Sequence, residues 1–300
     1  MWFLLSFLTA TTAAGNDVFF SQSKLKKIPA LTKAFATAIA SLPVLWIVLW
    51  FAGIPVIQPH FWWLVALEAV LMSIAHILYM RALALGPLSQ TQPILALTTV
   101  FLVITNPLMT NDRITWAGIV GVILVGIGIY ATQHPGTDAS GKPAGFLSPF
   151  VEMWRQPGVM SKLGVAVIYS VTSNIDRLAL EASSGPFYLA VYSVLLSIIL
   201  GTLILLRRLW HKTHADVPAE KIALGQMAIG GSIHASSILF HVAALQFAAV
   251  PYVIAVKRLS ILMTSLWDYF VRKGRKPNWY RLVGIGMVVG GIILIILKGT

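Results

Sequence analysis

The chain has 300 residues, of which 57% are hydrophobic and only 11% are charged. A soluble globular domain carries about 25% charged residues, so this composition and a mean hydropathy of +0.81 exclude a soluble protein and indicate the lipid bilayer. The absence of cysteine excludes disulfide scaffolds and thiolate metal sites. Although the net charge is +12, the basic residues lie between apolar runs, so we expect no nucleic-acid partner.

The apolar runs are long enough to cross a membrane, because a spanning helix needs about 20 mostly apolar residues. Divided by glycine, proline and charge, they predict ten transmembrane helices near 2–21, 31–53, 61–83, 87–110, 114–132, 160–182, 186–206, 222–246, 250–271 and 281–298. The first run resembles a signal peptide only superficially, since no lysine or arginine precedes it.

One long connection, rich in glycine and proline, divides the ten spans into two groups of five. The sequence thus predicts a first repeat at 1–132, a cytoplasmic linker at 133–158 and a second repeat at 159–300. The segment from Ala82 can be laid on the segment from Ala244, and Asn16-Asp17 has a counterpart in Asn174 and Asp176. Because five is odd, the second half must be inverted. The predicted fold class is an all-α membrane protein with ten transmembrane helices as two inverted five-helix repeats.

The 22 basic residues predict the orientation. Three lie inside spans and two, Arg113 and Lys298, lie on one side. The remaining seventeen are assigned to the connections of the other side: Lys24, Lys26, Lys27, Lys33, Arg81, Lys142, Arg155, Lys162, Arg207, Arg208, Lys212, Lys221, Arg272, Lys273, Arg275, Lys276 and Arg281. Basic loops stay in the cytoplasm, so we expect a multi-pass protein of the cell (inner) membrane with both termini extracytoplasmic.

The ten-span layout, the Ala-Leu-x-x-x-Pro segment at 82–87 and the Asp-Arg-Ile-Thr run at 112–115 resemble the EamA type of the drug/metabolite transporter superfamily. The resemblance covers nearly all of the chain. It implies a secondary transporter, not an enzyme, with a site near the membrane midplane lined by the third, fourth, eighth and ninth helices. The chain departs from the family in the basic segment at 272–276, where an acidic residue is usual, and in its expected orientation.

Lys257 and Arg258 are adjacent cations well inside the ninth span. An ionisable residue there costs at least ~2.5 kcal/mol and needs a partner, a cavity or a function. One interpretation is an anion clamp, because the arginine fork suits carboxylate or phosphate and lysine adds a point charge. The pair is similar to that of the plastid phosphate-ester translocators, where it holds the substrate phosphate. A salt bridge to Asp176 or Glu68 and snorkelling towards the helix end are the alternatives.

Other polar residues inside the spans complete the predicted substrate site, which consists of Lys257, Arg258, Asp176, Arg177, Glu68, Tyr79, His234, His241 and Gln90. Asp17, Asp176 and Glu68 are the candidates for proton coupling. A carboxylate near a helix end and solvated from the cytoplasm is the alternative for Asp17. Two histidines seven residues apart are too few for a zinc site. We therefore expect no metal, no cofactor and no catalytic residues.

These features predict a secondary transporter that moves a small organic metabolite with an anionic group (a carboxylate, an amino acid or a phosphate ester) by alternating access. Coupling to protons or exchange would drive it. Efflux of cationic or lipophilic compounds is one alternative, and a membrane enzyme or lipid-handling protein is another. The expected partners are a small-molecule substrate and the lipid bilayer, and the chain would act as a monomer or homodimer.

Overall fold

The computed structural model describes residues 1–21, 28–85, 92–132, 158–211, 224–272 and 279–299, and this part of the chain contains helices and no strands. The helices are α1 (Trp2–Phe20), α2 (Ala30–Ala52), α3 (Phe61–Leu85), α4 (Leu97–Met109), α5 (Trp116–Ala131), α6 (Val159–Glu181), α7 (Gly185–His211), α8 (Leu224–Leu245), α9 (Val250–Lys257), α10 (Leu259–Arg272) and α11 (Trp279–Lys298). A 3₁₀ helix, Gln92–Ala96, leads into α4. The all-α prediction is confirmed.

Within the described residues, seven helical segments are long and apolar enough to cross a membrane: Trp2–Phe20, Ala30–Ala52, Phe61–Leu85, Gln92–Met109, Gly185–Trp210, Gly225–Leu245 and Val250–Trp267. Trp116–Ala131 and Leu282–Lys298 are shorter apolar helices. Large side chains such as Trp50, Phe51 and Leu108 are exposed on the outside, as expected where lipid replaces water. The chain is therefore a multi-pass membrane protein.

The helices of the two halves pack against each other in a paired pattern. Helix α1 packs on α8, and α6 packs on α3; likewise α2 packs on α8, and α7 packs on α3. The contacts between α2 and α7 and between α5 and α11 join helices at the same position in each half. Each of these contacts thus has a counterpart when the halves are exchanged.

The glycine-rich helices α5 and α11 are in close backbone contact. A Cβ added to Gly291 would lie 2.6 Å from the carbonyl oxygen of Gly121, and one added to Gly128 would lie 2.7 Å from that of Gly284. Gly121 near the start of α5 lies against Gly291, whereas Gly128, further along α5, lies against Gly284, earlier in α11. The two helices therefore run antiparallel. These glycines are therefore the residues that allow the two backbones to touch.

Each half contains an interrupted helix. The ninth span, predicted as continuous over 250–271, is interrupted at Arg258, where ψ is −8° between α9 and α10. In the first half the 3₁₀ helix ends at Ala96, which matches Arg258 when Ala82 is laid on Ala244. Interrupted helices at corresponding positions of two halves are a feature of transporter binding sites.

Two residues that we predicted to be loop cations are buried inside helices. Lys33 lies in the first turn of α2 and Lys162 in the first turn of α6, and both are 0% exposed. A charge near a helix start cannot be distinguished from a loop charge when the boundary is uncertain by a few residues. The cytoplasmic excess falls from seventeen to fifteen, which keeps its direction. Most of the predicted linker, together with Gln90, lies outside the described residues.

Candidate functional site

A cavity of about 120 Å³ lies where α1, α3, α6, α7, α8 and α9 meet. Its walls include eight of the residues predicted from the sequence: Asp17, Glu68, Tyr79, Asp176, His234, His241, Lys257 and Arg258. Tyr169 and Tyr192 add aromatic rings to the same walls. The structure thus places most of the predicted site residues around one cavity, although their role in binding stays a prediction.

Arg258 brings a buried guanidinium to this cavity. Its side chain is 3% exposed, and Nε and Nη2 are buried without a hydrogen-bond partner among the described residues. Its backbone N–H still donates to the carbonyl oxygen of Ile254 at 3.0 Å, so the helix interruption is small. Buried guanidinium nitrogens are almost always hydrogen-bonded. The unpaired Nε and Nη2 of Arg258 are therefore an exception among buried guanidinium nitrogens.

Among the described residues, the carboxylates that line the cavity form no ion pair with Lys257 or Arg258. The Tyr188 hydroxyl donates to Asp176 Oδ1 at 2.5 Å, and His241 Nε2 lies 3.3 Å from Asp176 Oδ2. Glu68 is buried, and its Oε2 has no hydrogen-bond partner among the described residues. The predicted alternative of a salt bridge from Lys257 to Asp176 or Glu68 is not formed in the part of the chain that the structure describes.

Asp17 belongs to a buried polar cluster at one end of the cavity. Asp17 is 4% exposed and accepts a hydrogen bond from the Tyr79 hydroxyl and another, at 2.6 Å, from Gln92 Nε2. Lys162 Nζ donates to Gln92 Oε1 at 3.2 Å and lies 3.2 Å from the centroid of the Tyr79 ring. The interpretation of Asp17 as a solvated helix-end carboxylate is therefore wrong, because the carboxylate is buried and two side chains hydrogen-bond to it.

Lys162 and Gln92 belong to this cluster, and Tyr169 and Tyr192 to the cavity wall, but the predicted site includes none of the four. The spacing of Lys162, Tyr169 and Asp176 at intervals of seven residues was a usable signal, because such residues share one face of a helix. The sequence analysis assigns Lys162 to a loop and therefore leaves it out of this stripe on α6.

The two halves hold their first-helix aspartates in a similar way. Asp17 on α1 is bonded by Tyr79 from α3, and Asp176 on α6 is contacted by His241 from α8. Tyr79 and His241 are matched when Ala82 is laid on Ala244. A ring from the third helix of each half thus contacts the aspartate of its first helix.

Arg177 lies outside the central cavity. Its Nε is 2.6 Å from Glu181 Oε1 and 3.8 Å from Asp112 Oδ1, and its Nη1 donates to the carbonyl oxygen of Leu245. Adjacent helix positions differ by about 100°, so Arg177 faces a different neighbour from Asp176. Among the described residues, no three histidine, aspartate or glutamate side chains converge to hold a metal ion.

Comparison with known proteins identifies the family of the chain. The model of the EamA-like transporter family matches residues 1–132 and 156–297. A crystal structure of a protein aligns with a TM-score of 0.70 at 17% sequence identity, covering 99% of this chain and 98% of that chain, which shows a shared fold. No curated protein matches. The chain belongs to the EamA-like transporter family, within the drug/metabolite transporter superfamily.

Proposed function

We propose that this membrane transporter moves a small organic metabolite with an anionic group, which is a carboxylate, an amino acid or a phosphate ester. The observation that carries the proposal is the buried guanidinium of Arg258, a residue of the cavity wall whose Nε and Nη2 have no hydrogen-bond partner among the described residues. A planar fork of N–H groups matches the oxygens of carboxylate or phosphate. Lys257, beside it on the cavity wall, supplies a second positive charge.

The size and position of the cavity support a small substrate. Its volume of about 120 Å³ is well below the ~300–1,000 Å³ typical of pockets for drug-sized ligands. Tyr79, His234 and His241 supply hydrogen-bonding groups around the anion clamp. Arg177, by contrast, pairs with Glu181 outside this cavity, so it is not part of the proposed substrate site.

We further propose two inverted five-helix repeats, at 1–132 and 159–300, which move against each other around the cavity. The antiparallel glycine contact between α5 and α11 and the paired helix packing support this arrangement. The matching interruptions at Ala96 and Arg258 support it independently. Alternating access then exposes the cavity to one side of the membrane at a time.

Coupling to protons or exchange with a second solute would supply the energy, because the sequence contains no phosphate-binding loop for nucleotide hydrolysis. Asp17, Asp176 and Glu68 line the cavity and are the candidates for carrying a proton. Of these, Glu68 has an oxygen without a hydrogen-bond partner among the described residues.

Efflux of organic cations is the second candidate function, and the free oxygen of Glu68 favours it. A melting-temperature screen of the detergent-solubilised protein separates the two candidates. The ligands are carboxylic acids paired with their amides, phosphate esters paired with their alcohols, and organic cations. We expect the acids or phosphate esters to raise the melting temperature and their uncharged pairs to leave it unchanged. Stabilisation by cations alone would contradict the anion clamp.

We propose an inner-membrane location with the basic loops in the cytoplasm and both termini outside. The fifteen basic residues that remain on one side, against Arg113 and Lys298 on the other, support this orientation. A reporter that is active only in the periplasm should be active when fused after Thr300 and inactive when inserted in the loop at 212–221. The reverse activities would show that the orientation is wrong.

A further inference from the structure

Asp112, on the connection between α4 and α5, joins the first half of the chain to the second. Its Oδ2 accepts hydrogen bonds from Asn106 Nδ2 at 3.1 Å and from the backbone N–H of Val250 at 3.0 Å. Its Oδ1 lies 3.8 Å from Arg177 Nε. A single carboxylate thus contacts α6 and the start of α9 from a segment of the first half.

Two further contacts extend this junction. Asn106 Nδ2 donates to Asn174 Oδ1 at 2.9 Å, and Arg177 Nη1 donates to the carbonyl oxygen of Leu245, the last residue of α8. We call the side chains of Asn106, Asp112, Asn174 and Arg177, with the backbone groups of Leu245 and Val250, the outer clamp. Three contacts of the outer clamp join the two halves: Asn106 to Asn174, Asp112 to Arg177 and Asp112 to Val250. The contact of Asn106 with Asp112 lies within the first half, and that of Arg177 with Leu245 lies within the second.

The outer clamp lies directly beyond one end of the central cavity. On α8 the cavity wall includes Val242, and Leu245 follows three residues later; on α9 it includes Ile254, and Val250 precedes it by one turn. The cluster around Lys162 lies at the other end, because Lys162 and Arg177 are near opposite ends of α6. At a rise of ~1.5 Å per residue, these two positions are roughly 22 Å apart along the helix.

We propose that the outer clamp is the gate that closes the cavity at this end, and that Asp112 is the residue on which its closure depends. This inference rests on the proposed alternating-access transport. For the cavity to open here, α6 and the α8–α9 connection must separate from the α4–α5 connection. The carboxylate of Asp112 must then lose Arg177 and the N–H of Val250. Within the Asp-Arg-Ile-Thr run, Asp112 is thus the residue that holds this side of the transporter closed.

The test uses the absence of cysteine from the natural sequence. A single reporter, Ser173→Cys, is placed on the cavity wall, where Ser173 is buried. A membrane-impermeant maleimide is added to intact cells and, separately, to inverted membrane vesicles. With Asp112→Ala in the same chain, we expect labelling from the extracytoplasmic face to rise by about 5- to 150-fold, the usual range of coupling between two states. Labelling from the cytoplasmic face should not rise.

Arg113→Ala is the matched control, because Arg113 is the exposed neighbour of Asp112; its labelling should equal that of the reporter alone. Arg177→Gln is the second gate variant, and it should also raise labelling from the extracytoplasmic face. It replaces Asp112→Ala as the test if that variant is unstable. Unchanged labelling in both folded gate variants would overturn the gate, as would an equal rise from both faces. Labelling requires no substrate, whereas the ligand screen and vesicle uptake test the proposed transport. Failure of the gate proposal is therefore distinguishable from failure of the transport proposal.

Discussion

Replacing Arg258 with lysine is expected to weaken binding of the anionic substrate by ~1–3 kcal/mol, the scale of a hydrogen bond to a charged group. Lysine keeps the positive charge and loses the planar fork, so the effect isolates the geometry of the guanidinium. Because Nε and Nη2 of Arg258 have no partner among the described residues, the melting temperature of the ligand-free protein should hardly change. Arg258→Ala should abolish measurable binding.

Titration of the purified variants with the best ligand of the screen measures this effect. Arg81→Lys is the control, because Arg81 is exposed on α3 and does not line the cavity. Equal affinity in the wild type and Arg258→Lys would show that the fork does not hold the ligand. A large loss of thermal stability in Arg258→Lys would instead assign the guanidinium a structural role.

Replacing Gly291 with alanine is expected to destabilise the fold by ~1–3 kcal/mol, the usual cost of overpacking a tight contact. The added Cβ would lie 2.6 Å from the carbonyl oxygen of Gly121, a backbone atom that moves only if α5 and α11 separate. Gly290→Ala, one position earlier on the same helix, is the control, since no atom lies within 4 Å of its added Cβ. Alanine favours helix over glycine by roughly 1 kcal/mol, so the control should be equally or more stable.

Thermal unfolding of the two variants in the same detergent compares them directly. Equal melting temperatures would show that the backbones of α5 and α11 are not in contact as described. Separation of these helices would also remove one of the supports for the inverted repeats.

The fold class could be predicted because apolar runs of membrane length admit few structures other than helices. The gathering of Glu68, Asp176 and Arg258 around one cavity could be predicted for a related reason. Ionisable groups in a membrane are too costly to face lipid, so they converge on the interior of the bundle. The identity of these residues therefore indicated the site before their contacts were known.

Other features depend on geometry that the sequence does not encode locally. The burial of Lys162 could not be predicted because a shift of a few residues in the helix start moves it from loop to core. The interruption at Arg258 occurs without glycine or proline at that position, so no breaker marked it. Asp112 stood out only as part of a family motif, since its partners Arg177 and Val250 are distant in the chain.

Uptake of the ligand into proteoliposomes tests most directly whether the anion clamp serves transport. Vesicles containing the wild-type protein, preloaded with unlabelled ligand, should accumulate radiolabelled ligand by exchange, and vesicles containing Arg81→Lys should match them. Vesicles containing equal amounts of folded Arg258→Ala should accumulate no more than empty vesicles, because the cavity would lack the fork that holds the anionic group. Uptake by Arg258→Ala equal to that of the wild type would contradict the account.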